Sequence, residues 1–150
     1  MVLGDDSGSR LYWELVDPGL VESAGSGLDA SEGAGAFFTS FSCEPEQAEQ
    51  NLAIVRRVLT EVQRDGITAE ELAQAKTKIQ SHLVRASERS YRRMLDLGAA
   101  WTYLGRYRSV DDELNDYDAV TLDRVREVLD RFPLTEVTTL ALGPLPSLAP

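Results

Sequence analysis

The side chains that could carry hydrolytic chemistry are few in this chain. His82 is the only histidine and Cys43 the only cysteine among 150 residues. A zinc motif such as H-x-x-E-H needs two histidines, and a serine or cysteine triad would have to use His82. These counts therefore exclude most hydrolytic active sites that depend on histidine or cysteine. His82 adjoins an apolar helical stripe, so we interpret it as a packing or surface residue, and Cys43, at a strand end, as a small packed side chain.

Two other kinds of cluster also lack the spacing of a catalytic site. Four glycines fit neither GxGxxG nor the Walker pattern, and no lysine follows them, so we interpret them as strand-edge or hairpin residues. Two groups of carboxylates each coincide with the predicted start of a helix, where negative charge favours the helix dipole. The glycines are Gly25, Gly27, Gly33 and Gly35; the carboxylates are Glu44, Glu46 and Glu49, and Asp111, Asp112 and Glu113.

One neighbourhood of the chain is basic, and it holds Arg85, Arg89, Arg92, Arg93, Arg106 and Arg108. Arg85, Arg89 and Arg92 recur every three or four residues, so they could line one face of a helix. Two interpretations stay open: a solvated face paired with nearby acids, or an interface for an acidic partner or the terminus of a substrate chain. Phe38 is a further candidate interface residue, because aromatic residues occur on both faces of its predicted strand.

The charge of the whole chain restricts its partners. Fifteen basic and 25 acidic residues give a net charge of −10, and nucleic-acid binding depends largely on basic residues that neutralise phosphates. Anionic membrane surfaces are disfavoured for the same reason. No apolar run approaches the roughly 20 residues that span a bilayer, and the start lacks the regions of a secretory signal. We therefore expect neither a nucleic-acid nor a membrane partner, and the compartment stays open.

The first part of the chain predicts a helix followed by a hairpin. The helix begins at Ser7 or Ser9 and ends at Asp17-Pro18-Gly19, since proline cannot continue a helix. Val21 to Leu28 and Ala34 to Cys43 read as strands that flank a longer loop, Asp29 to Gly33. A sheet of so few strands is marginal alone. We therefore expect Met1 to have been added to a piece of a longer polypeptide, truncated at its N-terminus.

The rest of the chain predicts four helices and a last strand. The first helix runs from Pro45 to Arg64, with Leu52, Val55, Leu59 and Val62 on one stripe. The second starts at a capping box on Thr68 and reaches about Gly105, as one helix or two collinear pieces. Shorter helices follow from caps at Ser109 and Thr121, and Glu136 to Leu142 alternates like a strand. The segregation of strands and helices predicts an α+β fold of two layers, with helices packed on one face of a mostly antiparallel sheet.

Five segments, in order, resemble pitrilysin/insulinase-type zinc metallopeptidases over about residues 2 to 145. The first resembles that family's segment L-G-x-x-x-x-S-R-L-x-x-x-L-R-x-x-x-G-L-x-Y. The second and third segments resemble the family's second strand and its D-P-E helix start. The fourth resembles its signature G-(V/I)-T-x-x-E-L-x-x-A-K, and the fifth resembles the C-terminal end of the family pattern. They are Leu3 to Leu20, Gly35 to Cys43, Glu44 to Glu46, Asp65 to Lys76, and Asp118 to Val125 with Leu142-Gly143-Pro144.

The resemblance implies a mitochondrial-processing-peptidase-like metallohydrolase fold and a companion role. In such enzymes one domain bears the inverted zinc motif H-x-x-E-H, and a companion domain without metal closes the peptide chamber. Since that motif is absent here, the chain resembles the later part of a companion domain, over residues 1–145, with a tail at 146–150. The resemblance also implies that zinc lies on a partner domain or subunit, that peptide is an indirect partner, and that this chain holds no cofactor.

Two positions depart from the family pattern. Companion domains often carry an arginine near the end of the first helix and a tyrosine in G-L-x-Y, both contacting substrate. The matching positions here are Val16 and Glu22. The departure leaves an alternative to the peptide-positioning role: a scaffold or assembly module with no proteolytic role.

Overall fold

The computed structural model describes residues 1–31 and 33–144 of the chain. These residues form two compact units. The first comprises Met1–Ile67 and the described residues from Val125 on, and the second comprises Thr68–Arg124. The elements are a π-helix Tyr12–Val16, strands β1 Ser23–Ser31 and β2 Ala34–Ser42, a 3-10 helix Pro45–Gln47, and helices α1 Ala48–Asp65, α2 Ala69–Ser87, α3 Ser90–Leu104, α4 Val110–Asp118 and α5 Leu122–Arg131.

The first helical segment forms where the sequence predicts it. The hydroxyl oxygen of Ser9 accepts a hydrogen bond from the backbone N–H of Tyr12 at 3.2 Å, as an N-cap does. The segment stops at the predicted break, where Gly19 takes a φ of +74° that L side chains rarely adopt. Leu11 and Leu15 project from it into the core and are completely buried.

The hairpin pairs β1 and β2 in antiparallel register from Ser23↔Ser42 to Ser31↔Ala34. The prediction of a longer loop at Asp29 to Gly33 is wrong, since Asp29 to Ser31 lie in the ladder. Of the two residues between the strands, Gly33 has a φ of +76°, typical of a tight hairpin turn, and Glu32 lies outside the described residues. Cross-strand pairing thus overrides the turn preference of Asp29 and Ser31.

The core of the first unit lies between one face of the hairpin, the π-helix and α1. Phe41 and Cys43, which the alternation of side chains puts on one face, pack against the buried cluster, and so does Ala24 of β1. Of the predicted α1 stripe, Leu52 is half-buried and the other three members are buried. The buried apolar residues of the cluster are Leu11, Leu15, Val21, Val55, Val58 and Leu59.

The second unit contains α2, α3 and α4. Thr68 forms the predicted capping box, the predicted cap Ser109 forms a second box with Asp112, and Gly105 ends α3 in the left-handed conformation. Of the two alternatives for the region up to Gly105, the structure has two helices, α2 and α3, because Arg89 between them is extended, with φ −92° and ψ 110°. None of the residues in these three helices is fully buried.

The last predicted strand, Glu136 to Leu142, does not form. Among the described residues the sheet contains β1 and β2 alone, and Leu140 and Leu142 lie almost wholly in solvent. Alternation and β-branched residues favour an extended chain, but a strand is defined by hydrogen bonds to a neighbour, and no described residue provides them. Taken with the helices, the architecture confirms the predicted α+β class. The predicted tail at residues 146–150 lies outside the described residues.

A matched pair of leucine substitutions tests this description of the core. Leu15→Ala should lower the free energy of unfolding by about 2–5 kcal/mol, because it leaves a cavity at a fully buried position. Leu140→Ala should change it by less than about 0.5 kcal/mol, because that side chain is 95% exposed. Urea unfolding followed by circular dichroism measures both values. Equal losses would show that residues 136–142 belong to the core.

Candidate functional site

The residues with catalytic potential do not come together. Among the described residues, no group of three or more histidine, cysteine, aspartate and glutamate side chains is placed to hold a metal ion. His82 is exposed on α2, and Cys43 is half-buried against the core, which confirms its interpretation as a packing residue. No helix in the described ranges has the length and apolar character needed to cross a membrane.

Val16 and Glu22 lie on either side of the break at residues 17–19. Val16 is half-buried and packs against the core cluster. Glu22 is exposed; its backbone N–H donates to the carbonyl of Ser42 at 2.8 Å, and a carboxylate oxygen accepts from the Ser42 hydroxyl at 3.4 Å. Their surroundings are those of a packed aliphatic residue and a solvated strand-end carboxylate. Neither supplies the guanidinium or phenol that the family pattern has at these positions.

The outer half of the hairpin carries an apolar surface on both faces, formed by Leu28, Phe37 and Phe38, which we call the hairpin patch. Phe38 is 52% exposed, and its ring lies across Gly27 of the paired strand, where an added Cβ would come within 2.9 Å of it. Leu28 and Phe37 oppose each other on the other face and are also exposed. The core covers only the inner half of the hairpin, so the predicted interface residue Phe38 is accessible.

The candidate arginines do not share one helix face. Arg85 is in the last turn of α2, Arg89 lies between the helices, and Arg92 is on α3. All three are exposed, and Arg92 pairs with Asp96 one turn away at 3.1 Å. The break at Arg89 interrupts the spacing on which a common face depended. The pairing of Arg92 agrees with the solvated interpretation of this neighbourhood.

Arg93 has a structural role that the spacing did not reveal. Its guanidinium donates to the carbonyl of Arg108 at 2.7 Å and lies 3.6 Å from the carboxylate of Glu113. It also lies 5.9 Å from the centre of the Tyr107 ring. Both partners of the ion pair are more than four-fifths buried, so Arg93 ties α3 to α4. Charge alone could not distinguish it from Arg92, since the partner is 20 residues away in sequence.

A polar cavity of about 200 Å³ is lined by Arg106, Tyr107, Arg108, Asp112, Asn115 and Asp116. Arg108 pairs with Asp116 in its wall. Asp112 accepts the backbone N–H of Ser109 at 2.9 Å, and this hydrogen bond, together with the Ser109 hydroxyl, lowers the pKa of the Asp112 carboxyl. The two arginines and two aspartates that line the cavity balance in charge. It therefore gives no preference for an anion or a cation.

The capping box on α4 gives a prediction about pH. Because folding lowers the pKa of Asp112 from 3.8, its contribution to stability is present above that pH and is lost as the pH falls through the lower value. Carboxyl chemical shifts should place the Asp112 midpoint below 3.8, and Ser109→Ala should raise it. The control Thr121→Ala, which removes a cap from another helix, should leave it unchanged. An unshifted Asp112 in the parent chain would contradict the capping geometry.

The comparison with known families decides which of them this chain belongs to. Residues 1–79 match the model of the peptidase M16 inactive domain. The chain belongs to this peptidase family. Its resemblance to pitrilysin/insulinase-type metallopeptidases, and to their inactive domain in particular, is thereby confirmed.

Curated relatives agree with this assignment. The chain is 33% identical over 143 residues to an uncharacterized zinc protease of Mycobacterium bovis, covering 95% of this chain and 33% of that protein. It is 31% identical over 151 residues to the uncharacterized zinc protease YmxG of Bacillus subtilis, covering 97% and 37%. The M16 chain thus spans about a third of the length of these relatives.

Solved structures share the fold. The peptidase M16 inactive domain from Pseudomonas fluorescens superimposes with a TM-score of 0.72 at 25% identity, covering 87% of this chain and 31% of that one. A chain of the Candida albicans complex III2 gives the same TM-score at 14% identity, with the same coverage. The second likeness is one of fold alone.

Proposed function

We propose that this chain is a non-catalytic domain of a pitrilysin/insulinase-type zinc metallopeptidase. In this role it helps to enclose and position a peptide that is hydrolysed at a zinc site on another domain or subunit. The observation that carries the proposal is the match of residues 1–79 to the inactive domain of the family. The zinc-protease names of relatives three times as long support it.

The distribution of side chains supports a surface role rather than a chemical one. The described residues offer no metal-binding group, whereas the hairpin patch presents two phenylalanine rings and a leucine to solvent. Apolar and aromatic surfaces of this kind bind extended peptides or other protein surfaces. In the proposal, zinc and the general base belong to the partner, and residues 1–145 form the companion domain, followed by a tail at 146–150.

A second function is favoured by Val16 and Glu22. A domain that grips peptide through an arginine and a tyrosine loses charge-assisted hydrogen bonds when these become valine and glutamate. Val16 is engaged in core packing and Glu22 binds its own strand partner. These substitutions suit a scaffold or assembly module of a degenerate peptidase-like protein, in which the domain serves as a surface for other subunits.

Metal analysis together with a peptidase assay tests the proposal. The 150-residue chain alone should hold substoichiometric zinc and cleave no fluorogenic peptide, because it has one histidine. A longer polypeptide that contains the chain should hold zinc and cleave the peptide. Its control is that polypeptide with the glutamate of its H-x-x-E-H motif replaced by glutamine.

Each outcome of this experiment favours one account. Tightly held zinc in the chain alone would contradict both proposals. Zinc and activity in the longer polypeptide alone would support the peptidase role. A longer polypeptide with neither zinc nor peptidase activity would favour the scaffold.

A further inference from the structure

Helix α3 carries large apolar side chains on a face that the other helices of the second unit leave open. Tyr91, Met94, Leu95 and Trp101 are 71%, 56%, 46% and 66% exposed. At roughly 100° per residue, these positions fall within about 120° of one another around the helix. We call this surface the α3 stripe.

The other side of α3 is already occupied. Arg93, Leu97 and Ala100 are half-buried there, and Arg93 is held by its contacts with Glu113 and Arg108. A helix with apolar residues on both sides is typical of one that is covered on both sides. The α3 stripe is therefore an apolar surface that no other helix of the second unit covers.

Gly98 lies in the middle of the stripe, and its missing side chain leaves a notch there. A Cβ at Gly98 would meet nothing within 4 Å, so no contact within the described chain requires glycine there. Glycine weakens a helix interior relative to alanine, but it lets a second backbone approach closely. The result is a notch between Met94 and Trp101 that can accept a row of side chains from a second helix.

The charges around the stripe select the kind of partner. Residues 85–108 hold six arginines, of which Arg92, Arg93 and Arg108 pair with Asp96, Glu113 and Asp116. Arg89 and Arg106 are exposed next to the two ends of α3. A complementary surface is apolar in its middle and acidic at its rim.

The size of the stripe indicates whether its partner is a separate protein or part of the same polypeptide. A helix of 15 residues is about 22 Å long, and one face of it falls short of the roughly 800 Å² per partner that a stable complex of separate proteins buries. A small interface suffices when the two surfaces belong to one chain, because the linkage raises their effective concentration. The curated relatives are about three times as long as this chain, which leaves ample polypeptide for such a surface.

We infer that the α3 stripe docks onto an apolar surface with an acidic rim in another segment of the same longer polypeptide. The inference rests on the proposed function, in which this chain is one module of that polypeptide. It assigns to α3 the contact that joins the module to its neighbour.

Hydroxyl-radical footprinting with mass spectrometry tests this assignment on the 150-residue chain and on the longer polypeptide. Tyr91, Met94 and Trp101 should be oxidised about fivefold or more slowly in the longer polypeptide, because the centre of an interface excludes water. Tyr103 lies on α3 outside the stripe and is also 71% exposed, so its rate should be the same in both. Equal rates for the stripe residues in both proteins would overturn the inference.

A variant and a second measurement complete the test. Gly98→Leu fills the notch; it should leave the melting temperature of the 150-residue chain unchanged or raised, and restore fast oxidation of Tyr91 in the longer polypeptide. Sedimentation of the 150-residue chain shows whether a second copy covers the stripe instead, and a dimer with protected Tyr91 would contradict the tethered partner. Zinc content and peptidase activity are measured on the same samples. An accessible stripe in an active zinc enzyme would refute only this inference, whereas absence of zinc and activity would refute the proposed function.

Discussion

The packing of Leu11 and Leu15 onto α1 is the interaction on which the first unit depends. Both side chains are completely buried, and burial of each contributes about 1.5–3 kcal/mol. They fix the π-helix against Val55, Val58 and Leu59, and this cluster supports the inner half of the hairpin through Phe41 and Ala24. A buried amide secures the same contact, since Asn51 donates to the carbonyl of Leu20 at 2.9 Å. Without this cluster, the two-stranded hairpin would have no apolar surface to pack on, and an isolated hairpin is only marginally stable.

The C-terminal end of α1 is held by cations from two distant parts of the chain. Arg126 of α5 donates to the carbonyls of Gln63 and Arg64 at 2.8 and 3.3 Å, and Arg10 donates to the carbonyl of Gly66 at 3.2 Å. The last carbonyls of a helix lack partners within it and carry partial negative charge, so guanidinium groups satisfy both needs. Gln63 adds bonds to the carbonyl of Leu129 and the N–H of Leu134. Within the first unit, these contacts hold Arg126, Leu129 and Leu134 against the end of α1.

Features set by neighbouring residues could be predicted from the sequence, whereas features set by distant ones could not. The capping box at Thr68, the cap at Ser109 and the helix end at Gly105 follow from local chemistry, and they formed as expected. The length of the hairpin loop depended on pairing across the whole ladder. Glu136 to Leu142 has the pattern of a strand but no neighbour among the described residues.

The candidate site shows the same division between local and distant effects. Spacing places Phe37 and Phe38 on opposite faces of β2, and both are exposed, because alternation in a strand is a local property. It fails for the arginines, because one extended residue, Arg89, ends the periodicity, and because the partner of Arg93 is supplied by α4. The family resemblance supplied what physical patterns alone could not: the inactive status of the domain.

In the proposed function, this chain contributes binding surfaces, and another domain or subunit binds the zinc. The most direct measurement is the zinc content and zinc X-ray absorption spectrum of the longer polypeptide with and without His82→Gln, which removes the only imidazole of this chain. The account predicts that the zinc stoichiometry and the ligand environment stay unchanged. Loss of zinc, or of one imidazole from the spectrum, would place this chain at the metal and contradict it.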